Sequence, residues 1–190
     1  MNKKDFIDLY DNYYINKKQI DINAIKIEIF ELIKKVLSTI KNNGIIFTCG
    51  NGGSAAEADH LTAELLVKYN KVRAPIKSLN LNNSFSSITA HSNDFDYDSF
   101  LTRHAQAMTN KKDMVICFST SGKSKNILSL IKYLNSKNIP NFLLTGLNFE
   151  ETNYTDLTKK IIIDSKKTSY IQETHLEIIH ILCEAIDRIK

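Results

Sequence analysis

The chain has 190 residues, a formal charge of +4, 43% apolar residues and 24% charged residues. That is ordinary globular composition, and the length suits one compact domain with a sizeable core. Six glycines and two prolines are too few for a fibrous or disordered chain, and no apolar run approaches the about 20 residues of a membrane span.

The N-terminus has no apolar block behind Lys3-Lys4, so it is not expected to be a secretory signal. Cys49, Cys117 and Cys183 are odd in number, far apart and set in apolar stretches. They read as reduced core residues, and the expected compartment is the cytoplasm. The basic excess is thin: 22 of the 25 positive residues are Lys, scattered in pairs such as Lys34-Lys35 and Lys166-Lys167. A nucleic-acid binder concentrates its charge, so neither nucleic acid nor membrane is expected as a partner.

Residues 1–43 read as helix, with Ile25, Ile29, Leu32, Ile33, Val36 and Ile40 at helical spacing until Asn42-Asn43-Gly44. Ile45 to Cys49 is a short apolar strand, followed by the tight loop Gly50-Asn51-Gly52-Gly53. Ser54 is the expected cap of a helix running from Ala55 to about Lys68. Pro75 to Leu81 predicts a second strand, and 84–108 is helical in part. Met114 to Phe118 predicts a third strand, Ser119 to Ser124 a loop, and Asn126 to Ser136 a helix. Asn141 to Thr145 and Lys160 to Ile163 complete five strands. Ser169 to Ile189 forms a long amphipathic helix, with Ser169 and Gln172 as a capping box. No repeat or linker interrupts the chain. The expectation is a single doubly wound α/β domain: N-terminal helices over 1–43, then an α/β core over 44–190 with a five-stranded parallel sheet flanked by helices. Such sheets bind ligands at the carboxyl ends of their strands.

Two loops lie at those ends. Gly50-Asn51-Gly52-Gly53-Ser54-Ala55 fits the dinucleotide pattern G-x-G-x-x-A. That reading needs an acidic residue about 20 positions on. None occurs between Leu65 and Asn93, which argues against a nicotinamide or flavin. The loop remains either a backbone cradle for a polar ligand at a helix N-terminus or a plain turn. Ser119-Thr120-Ser121-Gly122-Lys123-Ser124 lacks P-loop spacing. Its hydroxyls and backbone N–H groups can still hold a phosphate, and it equally suits a Ser-rich cap.

The first loop's helix carries His60 and Glu64, which share a face about 40° apart. Such a pair can bind metal or handle protons, and read alone it also suits a solvated surface. On the last helix Gln172, Leu176, Ile179, His180 and Cys183 share a face. His180 by itself reads as a core histidine with a hydrogen-bond partner. His175 points about 140° away from it.

Taken together, Gly50-Asn51-Gly52-Gly53-Ser54-Ala55-Ala56, then His60 and Glu64, Asn93-Asp94, Ser119 to Ser124 with Asn126, and Gln172 to His180 resemble the phosphoheptose isomerases. These belong to the sugar isomerase (SIS) domain superfamily, and the resemblance spans nearly the whole chain. It implies an SIS-type sandwich. It implies conversion of sedoheptulose 7-phosphate to D-glycero-D-manno-heptose 7-phosphate through an enediol, the first step towards activated heptose for lipopolysaccharide or capsule. It also implies a homotetramer with active sites at subunit interfaces. Substrate contacts fall on Asn51, Gly52, Gly53, Ser54, Glu64, Asn93, Asp94, Ser119, Thr120, Ser121, Ser124 and Gln172. Zinc ligands fall on His60, Glu64, Gln172 and His180, and acid/base duties on Glu64 and His180.

The chain departs from the family pattern at Asp59, Lys68, Ser84 and Asp96, where Gln, Arg, Asp and Gly are common. Lys68 offers an anion a point charge where Arg offers a fork. Two other readings stay open: a non-catalytic SIS protein that binds the replication initiator, and an SIS isomerase for another phosphosugar.

Overall fold

In the computed structural model, residues 1–151 and 157–189 are described. The N-terminal segment forms two helices. Helix α1 (Lys3–Lys17) opens on a capping box between Asn2 and Asp5. A single 3-10 turn, capped by Asp21, then leads into α2 (Lys26–Lys41). Helix α2 turns Ile29, Leu32 and Val36 into the core, as their spacing predicts. By contrast, α1 buries no residue fully.

Strand and helix alternate from there. The remaining elements are β1 (Ile46–Cys49), α3 (Gly53–Leu66), β2 (Ser78–Asn80), α4 (Phe85–Asp94), α5 (Phe100–Met108), β3 (Met114–Phe118), α6 (Lys125–Ser136), β4 (Asn141–Gly146), β5 (Thr158–Ile163) and α7 (Thr168–Ile189). The five strands pair in parallel in the order β2-β1-β3-β4-β5. β2 is shorter than its apolar run predicts. It is an edge strand, and Pro75 has no N–H for a ladder.

Alternating side chains feed two cores. Ile46, Ile116 and Leu144 face α2, α3 and α7. Phe47, Cys117 and Leu143 face α5 and α6. Each fully buried Leu or Phe contributes about 1.5–3 kcal/mol. This fixes the sheet register, because a one-residue slip would exchange the faces.

The strand order reverses between β1 and β3, so the loops after them flank the crevice where such sheets bind ligands. Two helix starts differ from expectation. Helix α3 begins at Gly53 with Gly52 as its cap, so Ser54 is a buried first-turn residue. Helix α7 begins at Thr168, which puts Ser169 inside the helix and removes the Ser169–Gln172 capping box. No described helix is long and apolar enough to cross a membrane.

Candidate active site

The loop after β1 is latched from three sides. The Asn82 side chain accepts from the Gly50 N–H at 3.1 Å and donates to the Gly50 carbonyl at 2.9 Å. Asn51 and Asn126 bond each other's side-chain amides. Tyr97 donates its hydroxyl to Asn51 Oδ1 at 2.9 Å. Asn51 is therefore oriented by α6 and by the α4–α5 connection together. Among the described residues no side chain caps the start of α3.

The loop after β3 turns at Gly122, whose φ of +62° favours glycine. A Cβ there would also stand 2.5 Å from Phe149 Cβ. Ser119 is buried, with its Oγ 3.3 Å from Ser124 Oγ. Ser124 caps α6 without a side-chain bond to it. The Ser121 hydroxyl accepts from the Lys123 N–H at 3.2 Å. Thr120, Ser121 and Ser124 are half-buried at the mouth of this turn. The exposed Lys123 points elsewhere, its Nζ lying 2.6 Å from Glu150. The loop therefore offers hydroxyls and backbone N–H groups to a ligand.

Helices α3 and α7 supply the titratable groups. His60 Nε2 stands 3.5 Å from Glu64 Oε1, one helical turn away. The His60 and His180 rings lie 5.4 Å apart, centre to centre. Tyr69, beyond the end of α3, stacks on His180 at 5.9 Å and 25°. Gln172 packs so closely on Gly53 that a Cβ there would meet its Nε2 at 2.3 Å. Gly53, His60, Gln172 and the buried Glu57 line one hollow of about 380 Å³. His180 lines a neighbouring hollow with Tyr69 and Glu184.

Read alone, His180 suits a core position, but it is exposed in this chain. The core histidine is His175, fully buried, with Nδ1 3.2 Å from Glu57 Oε2 and its ring edge-on to Phe118. The 140° between the two histidines turns one towards the sheet and the other away from it. Asn93 and Asp94 sit exposed at the end of α4, with the Asn93 amide on Asp94 Oδ1 at 3.0 Å. Tyr97, Asn82 and Tyr69 have no signature in spacing, though Asn82 follows β2 as Gly50 follows β1.

His60 Nε2 is a buried nitrogen with no hydrogen bond among the described residues. With a carboxylate, a second imidazole and the Gln172 amide, it makes up a nitrogen and oxygen donor set that suits zinc. Among the described residues no three His, Cys, Asp or Glu are drawn close enough to hold a metal ion by themselves. The donors fit zinc in kind, and the single chain leaves the set open.

The SIS domain family model matches residues 16–146. The phosphoheptose isomerase of Colwellia psychrerythraea strain 34H is 39% identical over 146 residues, 75% of this chain and 74% of the relative. The chain belongs to the phosphoheptose isomerase family of SIS-domain proteins. The structure of a phosphoheptose isomerase from Francisella tularensis superposes with a TM-score of 0.90 at 30% identity, covering 99% of this chain and 100% of that one. The phosphoheptose isomerase structure from Neisseria gonorrhoeae gives a TM-score of 0.85 at 27% identity, covering 98% and 100%. The five-stranded SIS sandwich, with its loops after β1 and β3, thus sits in a family setting.

Proposed function

We propose that Glu64 and His180 carry the proton transfers of an aldose–ketose isomerisation on a phosphosugar held by the Ser119–Ser124 loop. The chain is a phosphoheptose isomerase. It converts sedoheptulose 7-phosphate to D-glycero-D-manno-heptose 7-phosphate, at the entry to heptose biosynthesis. The observation that carries the residue roles is the convergence of His60 and Glu64 on α3 with His180 on α7.

The reaction moves a proton between C1 and C2 through a cis-enediol. It needs a base at carbon, a group that serves the two oxygens, and stabilisation of the developing oxyanion. The Glu64 carboxylate takes the carbon-bound proton. His180, exposed with its ring 5.4 Å from that of His60, serves the oxygens. Ser119, Thr120, Ser121 and Ser124 hold the phosphate through hydroxyl and backbone donors, with Ser54 and the backbone of Gly52 and Gly53 from the first loop. Asn51 orients the sugar, and Gln172 faces the same hollow. Asn93 and Asp94, exposed at the end of α4, contact the substrate. A zinc ion held by His60, Glu64, Gln172 and His180 would supply Lewis-acid polarisation of the carbonyl. Glu64 can serve both duties because it has two oxygens, of which Oε1 faces His60.

The assembly we propose is a homotetramer in the cytoplasm, with active sites completed at subunit interfaces. Phe6, Leu9, Tyr10, Tyr14 and Ile15 of α1 and Phe30 of α2 are exposed in the single chain. An apolar surface of that kind marks a protein contact. A second copy would cover it and close the open side of the His60–His180 site.

A coupled assay with sedoheptulose 7-phosphate tests this reading. Turnover is expected, lost on chelation and restored by zinc. Metal analysis of the purified protein is expected to find zinc, and Gln172→Ala to hold less. Glu64→Gln and His180→Gln are each expected to lose about 10²–10⁴-fold in kcat while staying folded. Full activity in either variant removes that residue from proton transfer.

A further inference from the structure

The α3 and α7 residues that meet at the reaction site are joined a second time, away from it. Arg73 lies past the end of α3, and its side chain is almost wholly buried. Its Nη2 donates to the carbonyl of Glu64 at 2.7 Å, and its Nη1 to the carbonyl of Leu65 at 3.0 Å. Its Nε donates to Asp187 Oδ1 at 3.2 Å. The other oxygen, Asp187 Oδ2, accepts the N–H groups of Asn70 and Lys71, each at 2.9 Å. Asn70 also reaches Glu184 through its amide at 3.2 Å.

This network ends on both members of the acid/base pair. Through Arg73 it grips the peptide of Glu64 itself. Through Asp187 it fixes the backbone of Asn70, and the preceding residue, Tyr69, is the ring stacked on His180. Asp187 and His180 are seven residues apart on α7, two turns along one face. One buried carboxylate therefore sets the position of Glu64 from one side and of the ring that steadies His180 from the other. Only a guanidinium reaches all of these acceptors, because its planar fork presents several donors at once.

We propose that Arg73 and Asp187 are positioning residues for the isomerisation: they hold Glu64 and His180, through Tyr69, at the separation that proton transfer requires. This rests on the reading of Glu64 and His180 as the acid/base pair. A misplacement of about 1 Å at such a pair can cost about a hundredfold in rate.

The test measures kcat, KM and melting temperature for Arg73→Lys, Asp187→Asn, Tyr69→Ala, Tyr69→Phe and Glu64→Gln. Arg73→Lys and Asp187→Asn are expected to lower kcat about tenfold or more with KM within about twofold, since a misplaced group weakens the transition state more than ground-state binding. Tyr69→Ala is expected to follow them. Tyr69→Phe, which restores the ring, is expected to recover the rate. Tyr69 lies at the edge of the core, so this pair stays informative if the Arg73 or Asp187 variants fail to fold. Folded Arg73→Lys and Asp187→Asn at the parent kcat would overturn the proposal, as would a Tyr69→Ala enzyme as fast as Tyr69→Phe. Glu64→Gln separates the two failures: an active Glu64→Gln enzyme sinks the acid/base reading itself, whereas a dead one beside unimpaired clamp variants sinks only the clamp.

Discussion

Asn51 and Asn126 bond each other through their side-chain amides in both directions, at 2.9 and 2.8 Å. The pair ties the loop after β1 to the start of α6, across the point where the strand order reverses. The hydroxyl turn Ser119–Ser124 ends just before Asn126. The two halves of the ligand crevice therefore share one hinge point.

Asn126 is buried, so removing its amide leaves Asn51 with a lost partner and the crevice with a loosened wall. Asn126→Leu is expected to destabilise the fold by about 1–3 kcal/mol, the penalty for unpairing buried polar groups. It is also expected to raise KM for the phosphosugar several-fold. Urea unfolding and steady-state kinetics read the two effects. Unchanged values of both would show that the pair does no more than accompany the loops.

The buried contact between His175 and Glu57 makes a separate prediction. Both side chains lie between α3 and α7, and among the described residues His175 Nε2 and Glu57 Oε1 have no hydrogen-bond partner. Glu57→Ala strands the imidazole completely and opens space beside it. The expected cost is about 1–3 kcal/mol, with Glu57→Gln costing less because it keeps an acceptor for Nδ1. Chemical denaturation of the two variants checks the order. Equal costs would assign the loss to the carboxylate charge, which both variants remove, rather than to volume or to an acceptor for Nδ1.

Much of this fold was legible because strands and helices announce themselves by period. The apolar runs at Ile46–Cys49 and Met114–Phe118 are strands, and their residues alternate between two cores as a covered parallel sheet demands. The start of α3 was not legible, since Ser54 is as good a cap as Gly52 on propensity alone and the turn through Gly52 decided the matter. The same limit applies to histidine. Helical spacing separates His175 from His180 but does not say which one the sheet covers. The latches Asn82, Tyr97 and Tyr69 come from parts of the chain far from the loops they hold, so no local pattern marks them. Arg73 left no decisive trace either: it is one of three Arg beside 22 Lys, and the other two, Arg103 and Arg188, are exposed, so residue type alone does not mark the buried one.

The cysteines give a chemical prediction. All three are free and buried. Burial pushes the Cys183 thiol up to about 12, with the Glu64 carboxylate adding to the rise. Burial also pushes Cys49 well up, helped by Cys117, whose sulfur lies 3.5 Å away on the neighbouring strand. Thiolate is the reactive form, so the native protein is expected to resist thiol-reactive dyes near neutral pH. Three equivalents should label rapidly once the chain is unfolded in denaturant. Fast native labelling of any one cysteine would show that its stretch of the core opens readily.

The acid limb of stability depends on Asp187. The backbone N–H of Lys71, then that of Asn70 and the Arg73 side chain, hold its carboxyl below the usual carboxylate range, against the opposing effect of desolvation. A group whose folded value is depressed contributes its full stabilisation above the unfolded value of about 3.9. That contribution is lost as pH falls through 3.9 towards the lower folded value, where the unfolded chain binds the proton first. The parent protein is therefore expected to lose stability steadily below about pH 4. Asp187→Asn carries no such proton. It is expected to be less stable at neutral pH and to show a shallower fall on the acid side. Urea midpoints taken from pH 7 to pH 3 measure both. Identical acid slopes in the two proteins would mean that other carboxylates, and not Asp187, set the limit.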